Sequence, residues 1–324
     1  MDNLTHSLVG ALLGQAGLKR QTGLAMPALI VGANLPDIDA GCSIYGLQSL
    51  AMRRGLTHGP IAWIVLPLLL AAFLWWFDKW QARRGTRPDG RLPVRFGWLW
   101  ALATLGCLTH PALDWLNSYG IRLLEPFSSQ WYYGDTLFII DPWIWAGLGL
   151  ALAFSLRAER RAKHGGTAHP QRPALVGLAA LMVYINVNLV FTASAVAATP
   201  QRGAIAVPLP VKFWQRDMIV EVPGTVYMDK VMQRWTLGSG LARESQVLTA
   251  SPACLHPLQL SQFAPGNRDL AAFLFWSRAP YVERKEKDGQ VIDVLRDARF
   301  AGAGATYFSV PVPVPREAET CAPD

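Results

Sequence analysis

Four long apolar blocks constrain this chain more than any other feature of its sequence. Each block approaches or exceeds the roughly 20 apolar residues that an α-helix needs to cross a hydrocarbon core of about 30 Å. The blocks cover residues 60–77, 97–116, 138–156 and 174–198. Two earlier apolar stretches, 7–18 and 24–35, are too short for ordinary spans. The sequence therefore predicts an all-α polytopic membrane domain, with four transmembrane helices and two short N-terminal helices that form a tilted or re-entrant pair.

The basic residues indicate which loops face the cytoplasm. Six lie in residues 78–96 and five in 157–173. The connectors on the other side of the predicted helices carry only three, which are Arg53, Arg54 and Arg122. The positive-inside rule then places the two basic loops in the cytoplasm and everything after about residue 199 on the far face of the membrane. Because the net charge of +7 is divided between loops, the expected partner is the lipid bilayer and not nucleic acid.

Residues 1–199 and 200–316 differ in pattern, which predicts a helical membrane domain followed by a small β-rich periplasmic domain. Alternating apolar residues predict strands at 218–222, 225–231, 290–295 and 306–312. The Lys287-Asp288-Gly289 sequence predicts a hairpin turn before the third of these strands. Residues 317–324 are expected to form a frayed tail. Cys254 and Cys321 both lie after residue 199, and whether they form a disulfide stays open.

Polar residues on two predicted membrane helices reach the same depth. At 1.5 Å per residue, His110 lies roughly 22 Å and Asp114 roughly 28 Å from Arg95 along their helix. On the preceding helix, His58 lies roughly 31 Å from Lys79. All three polar side chains are therefore expected at the outer interface.

The short N-terminal helices are expected to bring further polar groups to that interface. Lys19 and Arg20 between them are interpreted as an inner turn. His6 then begins the first helix on the outer side, and Asp37 and Asp39 end the second helix there.

These residues form a predicted metal site. Ionisable groups at that depth are costly unless they are paired or bound to a metal. The candidate ligands are His6, Asp37, Asp39, His58, His110 and Asp114. Three imidazoles and three carboxylates suit one or two divalent ions, with zinc favoured and manganese or iron as alternatives. His110 and Asp114 share one helix face, and Pro111 is expected to end or kink that helix near His110.

Other polar residues of this region have simpler interpretations. Each ligand motif alone also fits a helix cap or surface pair, and only their convergence on one side favours a site. Asp141 is interpreted as a helix N-cap, and Asn117 as a residue that caps a helix or lines the exit. Arg53 and Arg54 are either solvated charges or substrate-binding residues for an anionic group. No role is predicted for the histidines His164, His169 and His256.

Five ordered segments resemble the bacterial family of predicted membrane-bound metal-dependent hydrolases, the YdjM type. They read MDNLTHSLVGALLGQAGL, ANLPDID, RRGLTHG, HPALDWLNSYG and FIIDPW, and together they cover about residues 1–160. The resemblance implies an inner-membrane metal-dependent hydrolase, distantly similar to the all-helical zinc phospholipase C and nuclease group. Matched motif by motif, it implies the same six metal-site residues: His6, Asp37, Asp39, His58, His110 and Asp114.

The hypothesis is an integral inner-membrane hydrolase that cleaves an ester or phosphoester, including lipid-linked ones, with a metal-activated water. Asp37 or Asp39 serves as general base where it is not a ligand. The alternative is a non-catalytic membrane anchor that presents the β-domain to a partner, with a structural metal or polar cluster. A transporter with a site at mid-span is disfavoured because the polar groups gather at one interface. The sequence specifies neither the substrate, the number of metals, the oligomeric state nor the role of the β-domain.

Overall fold

The computed structural model describes residues 1–223, 228–248, 264–287, 290–301 and 308–312. The chain forms two compact units. The first consists of Met1–Asp39 and Arg54–Leu189, and the second of Ala40–Arg53 and Val190–Asp324. The first unit is helical and the second is rich in β-sheet, as the sequence predicts. The predicted turn residues 288 and 289 and the two cysteines Cys254 and Cys321 lie outside the described residues.

Seven helices lie between the start of the chain and residue 198. They are α1 Asn3–Gln15, α2 Ala25–Asn34, α3 Ser49–Met52, α4 Pro60–Arg83, α5 Phe96–Trp115, α6 Pro142–Lys163 and α7 Gln171–Ala198. Shorter 3-10 segments are found at Leu18–Arg20, Leu35–Gln48 and Leu56–His58. The short α3 belongs to the second unit, and α7 runs from the first unit into the second.

Two helices of the described residues, α4 and α7, are long and apolar enough to cross a membrane. Both coincide with predicted spans. Helices also form at the other two predicted blocks, as α5 and α6. That these two helices span as well stays a prediction.

Helices α2 and α5 pack backbone against backbone through two glycines. A Cβ atom on Gly106 would lie 2.6 Å from the carbonyl oxygen of Leu29, and one on Gly32 would lie 2.7 Å from that of Ala103. Backbone atoms cannot move aside as a flexible side chain can, so these positions exclude larger residues. Leu99, on the same helix α5, is fully buried in the core between α2, α4 and α5. This close contact holds the C-terminal half of α5 against the end of α2.

The second unit contains two antiparallel sheets and one further helix. The first sheet has the order β1 Ile205–Pro208, β2 Gln215–Pro223, β3 Met228–Thr236 and β4 Gly240–Val247. The second has the order β5 Pro280–Lys287, β6 Gln290–Asp297 and β7 Ser309–Val312. The helix is α8, Arg268–Trp276. The antiparallel pairing of β5 with β6 runs from Pro280 opposite Asp297 to Lys287 opposite Gln290.

The predicted strands match the second unit only in part. Residues 218–222 and 290–295 lie inside β2 and β6. Residues 225–231 and 306–312 each begin outside the described residues and end in β3 and β7. Residues 281–286, which the hairpin signal places before the third predicted strand, lie inside β5. Strands β1 and β4 and helix α8 were not predicted. Strand β4, GLARESQV, has no apolar alternation that could have revealed it.

A buried carboxylate organises the start of the second sheet. Asp297 accepts hydrogen bonds from Ser277 Oγ (2.6 Å), Arg278 N (2.9 Å) and Ala279 N (3.2 Å). Its other oxygen accepts from Arg299 Nε at 2.8 Å. Burial alone would raise the pKa of Asp297, but the charge of Arg299 and these hydrogen bonds lower it from 3.8 to about 2. The ionised carboxylate is therefore favoured in the folded protein.

We expect Gly106→Ala to separate α5 from α2, because the added methyl group meets backbone atoms. The cost of such overpacking is about 1–3 kcal/mol. Thermal unfolding in detergent should show a lower melting temperature for this variant. Gly97→Ala is the matched control, because a Cβ atom at this position on the same helix has no neighbour within 4 Å. Equal melting temperatures for Gly106→Ala and the wild type would contradict the packing argument.

We expect the stability of the second unit to depend on the ionisation of Asp297. Because its folded pKa lies below the ordinary value, the stabilisation is complete above about pH 4 and is lost as the pH falls towards 2. Asp297→Asn should lower the free energy of unfolding at pH 7 by roughly 2 kcal/mol, and the difference from wild type should shrink at pH 2. Denaturant titrations at both pH values measure this. Glu244→Gln, at an exposed carboxylate of β4, should have no such effect, and a deficit independent of pH would contradict the linkage.

Candidate metal centre

Four side chains of the first unit converge on one point. They are Asp37, His58, His110 and Asp114, and one ligand atom from each lies within 4.8 Å of all the others. The two histidines and Asp114 are fully buried. They are supplied by the 3-10 segment after α2, the 3-10 turn before α4 and the C-terminal part of α5. Segments distant in sequence therefore meet at one site.

The spacing of the four groups suits a small divalent ion. His110 Nε2 lies 3.6 Å from Asp37 Oδ1 and 3.5 Å from Asp114 Oδ2. His58 Nε2 lies 3.6 Å from Asp114 Oδ2. Ligands bound tetrahedrally to zinc at about 2.1 Å would stand about 3.4 Å apart. The side chains thus already have nearly the separation that coordination requires.

The orientation of His110 is set by a backbone contact. Its Nδ1 lies 2.7 Å from the carbonyl oxygen of Ala33, at the end of α2. Because a carbonyl only accepts, Nδ1 carries the proton and Nε2 presents a lone pair to the site. A hydrogen bond of this kind from the second ring nitrogen is typical of histidines that bind metals.

His58 is oriented through Thr57 and Asp39. His58 Nδ1 lies 2.9 Å from Thr57 Oγ1, and this hydroxyl donates to Asp39 Oδ2 at 2.9 Å. The backbone N–H of Arg54 donates to the same oxygen at 2.7 Å. Since Asp39 is occupied in this way, it supports His58 from behind, and His58 Nε2 faces Asp114.

Arg54 holds Asp114 in place. Its Nε lies 3.0 Å from Asp114 Oδ2, and its Nη2 donates to Oδ1 at 3.3 Å. Its Nη1 donates to Asn117 Oδ1 at 2.9 Å, and the guanidinium lies over the ring of Tyr119. The amino group of Met1 also donates to Asp114 Oδ1. Both carboxylate oxygens of Asp114 thus lie beside buried basic groups.

His6, on helix α1, lies beside the four converging groups. Its ring stacks on His110 with a centroid distance of 3.8 Å and an interplanar angle of 18°. Its Nε2 lies 3.4 Å from Asp114 Oδ1. Asp2 caps α1 by accepting from the backbone of Leu4 and Thr5, which fixes the start of the helix that carries His6.

Three buried imidazole nitrogens without hydrogen bonds indicate a site for a bound ion. Within the described residues, Nε2 of His6, His58 and His110 is buried and makes no hydrogen bond. Buried polar atoms are nearly always paired, so three unpaired atoms at one point are unusual. Neutral imidazole and carboxylate are ligands of Zn²⁺, Mn²⁺ and Fe²⁺. This donor set therefore fits a divalent metal ion.

The charge states outside the predicted spans agree with this donor set. Burial lowers the pKa of His58 to about 4, so the imidazole is neutral near pH 7 and its lone pair is available. Burial alone would raise the pKa of Asp37 and Asp39. The neighbouring His110 and Arg54 nevertheless hold the pKa of Asp37 well below its ordinary value, and His58 lowers the pKa of Asp39.

Comparison with known proteins adds one finding. The family model described as YdjM inner membrane protein matches residues 1–195. The chain belongs to the YdjM inner membrane protein family. This confirms the resemblance predicted from the ordered motifs, and it identifies an inner membrane protein; the periplasmic orientation stays a prediction. No curated protein and no solved structure matches this YdjM family member.

The predicted site residues of this YdjM family member lie at different positions relative to the convergent group. Four form the convergent group, while His6 and Asp39 contact it from outside. Arg54 is buried and paired with Asp114, whereas Arg53 ends α3 in the second unit. The substrate-binding role of both arginines stays a prediction. The supporting groups that sequence reasoning missed are Thr57, Tyr119 and the Ala33 carbonyl.

The structure tests two local predictions around the site. Asp141 caps α6 by accepting from the backbone of Trp143 at 2.9 Å and Ile144 at 3.2 Å, as predicted. Pro111 does not end a helix, because α5 is continuous from Phe96 to Trp115. The packing of α5 against α2 outweighs the hydrogen bond that a proline removes.

We expect His58→Ala and His110→Ala each to lower the bound metal at least tenfold, because each removes one of a few ligands. Thr57→Val should weaken metal binding about 10-fold, since it releases the orientation of His58. Elemental analysis of protein purified in detergent measures the metal. His164→Ala, at an exposed histidine after α6, is the control and should leave the content unchanged. Equal metal in all four variants would rule out this site.

Proposed function

We propose that this inner membrane protein is a metal-dependent hydrolase of esters or phosphoesters. The observation that carries the proposal is the convergence of Asp37, His58, His110 and Asp114 with buried, unbonded imidazole nitrogens. A divalent ion held there would lower the pKa of a water molecule towards 7 and polarise the bond to be cleaved. Zinc is the favoured ion, because catalytic zinc sites combine His and carboxylate ligands with one open position.

The residues have separate roles in this proposal. His58, His110 and Asp114 hold the ion, since each is fully buried and fixed from behind by a hydrogen bond or ion pair. Asp37 is the most accessible of the four and accepts the proton of the attacking water. Its lowered pKa keeps the carboxylate ionised near pH 7.

Arg54 is a positioning residue in this scheme. Its guanidinium is already bonded to Asp114 and Asn117, so it acts on the reaction by keeping the Asp114 carboxylate correctly directed. An arginine with a fixed fork of donors suits this task better than a lysine.

We expect the zinc-loaded protein in detergent to hydrolyse a chromogenic probe, either p-nitrophenyl acetate or bis(p-nitrophenyl) phosphate. Asp37→Asn should lower kcat at least 100-fold, which is the scale of general-base catalysis, while bound zinc changes much less. Asp89→Asn, at an exposed position between α4 and α5, should match the wild type. Zinc-loaded wild type that hydrolyses neither probe, or Asp37→Asn with full activity, would contradict the proposal.

A further inference from the structure

Two exposed apolar side chains lie among the residues of the metal centre. Ile38, between Asp37 and Asp39, is 64% exposed, and Leu56, two residues before His58, is 61% exposed. Their polar neighbours point inward while these aliphatic side chains point outward. Large apolar side chains exposed next to a polar site are a signature of an interaction surface.

The two loops that carry these side chains are joined to each other. Asp39 Oδ2 accepts from the backbone of Arg54 at 2.7 Å and from Thr57 Oγ1 at 2.9 Å. These donors lie on either side of Leu56, and Asp39 directly follows Ile38. The side chains therefore belong to one structure around the metal centre, which we call the rim.

A third loop adds to the rim. The backbone of Glu125 packs so closely on Gly59 that a Cβ atom there would overlap its carbonyl oxygen. Phe127, two residues further along this loop, is 76% exposed. We define the rim side chains as Ile38, Leu56 and Phe127.

The exposed apolar surface continues from Leu56 onto α4. Ile61, Ile64 and Leu68 on the first turns of this helix are exposed as well. Helix α4 is one of the two described helices that can cross a membrane, so these side chains face hydrocarbon when it does. The rim is thus an extension of a lipid-facing surface, which favours lipid over a protein partner as the molecule that covers it.

We propose that the rim is immersed in the bilayer and that the site acts on an amphiphile whose hydrocarbon chain stays in the membrane. The chain lies along Ile38, Leu56 and Phe127 while the ester or phosphoester group reaches Asp37. The substrate class rests on the proposed hydrolase function, whereas the immersion of the rim does not.

Electron paramagnetic resonance of single nitroxide labels tests the immersion. Cysteines are introduced as Ile38→Cys, Leu56→Cys and Phe127→Cys in a full-length protein whose four native cysteines are replaced by Ser or Ala. The protein is reconstituted in vesicles of phosphatidylethanolamine and phosphatidylglycerol. Oxygen concentrates in hydrocarbon and a neutral nickel chelate stays in water, so the ratio of the two relaxation effects reports depth. Leu69→Cys on α4 is the lipid reference, and Asp89→Cys in the loop after α4 is the water reference.

The expected ratio for the rim labels is several-fold above that of Asp89→Cys and close to that of Leu69→Cys. Ratios equal to the water reference at all three rim positions would overturn the proposal. Low accessibility to both reagents would indicate a protein partner and would also overturn it. Phe127→Cys keeps the test decisive if a label beside Asp37 disturbs folding. Zinc analysis of the same samples separates the two proposals. If the labels lie in lipid but the protein holds no zinc, only the hydrolase proposal is refuted. If the protein holds zinc but the labels are exposed to water, only the immersion of the rim is refuted.

Discussion

The whole arrangement depends on the cost of burying imidazoles and carboxylates in an apolar helical unit. Ionisable groups in such surroundings are stable only when each one is paired, hydrogen-bonded or bound to an ion. Contacts on the side of each residue that faces away from the site meet this requirement. The Ala33 carbonyl bonds to His110, and Thr57 and Asp39 support His58. Arg54 forms an ion pair with Asp114. The imidazole nitrogens that point into the site still lack a hydrogen bond after these contacts are made. A cation at the centre would complete the set.

Close contacts between the helices bring these supporting groups to the site. Glycines at the crossing of α2 and α5 bring the Ala33 carbonyl within reach of His110. Gly59 lets the loop that ends near Phe127 pass directly over the start of α4. Each contact joins segments far apart in sequence, so the site exists only when the helices are packed. A metal bound at such a site would also stabilise the packed fold.

Sequence reasoning predicted the elements that depend on local pattern. The apolar blocks predicted the positions of α4 to α7, and the ordered polar motifs predicted which residues approach one another. The same reasoning could not separate Asp39 from Asp37, because the hydrogen bonds of Asp39 with Arg54 and Thr57 depend on tertiary packing. The role of Arg54 was missed for the same reason, since an arginine on a loop is normally solvated. In the second unit, β4 escaped prediction because its residues show no alternation.

The zinc K-edge X-ray absorption spectrum of the purified protein tests the central claim most directly. The account predicts zinc bound by nitrogen and oxygen at about 2.0–2.1 Å, with the outer-shell scattering of two imidazole rings. Loss of one imidazole contribution in His110→Ala should accompany the fall in zinc. Sulfur ligands at about 2.3 Å, or zinc without imidazole scattering, would contradict the account.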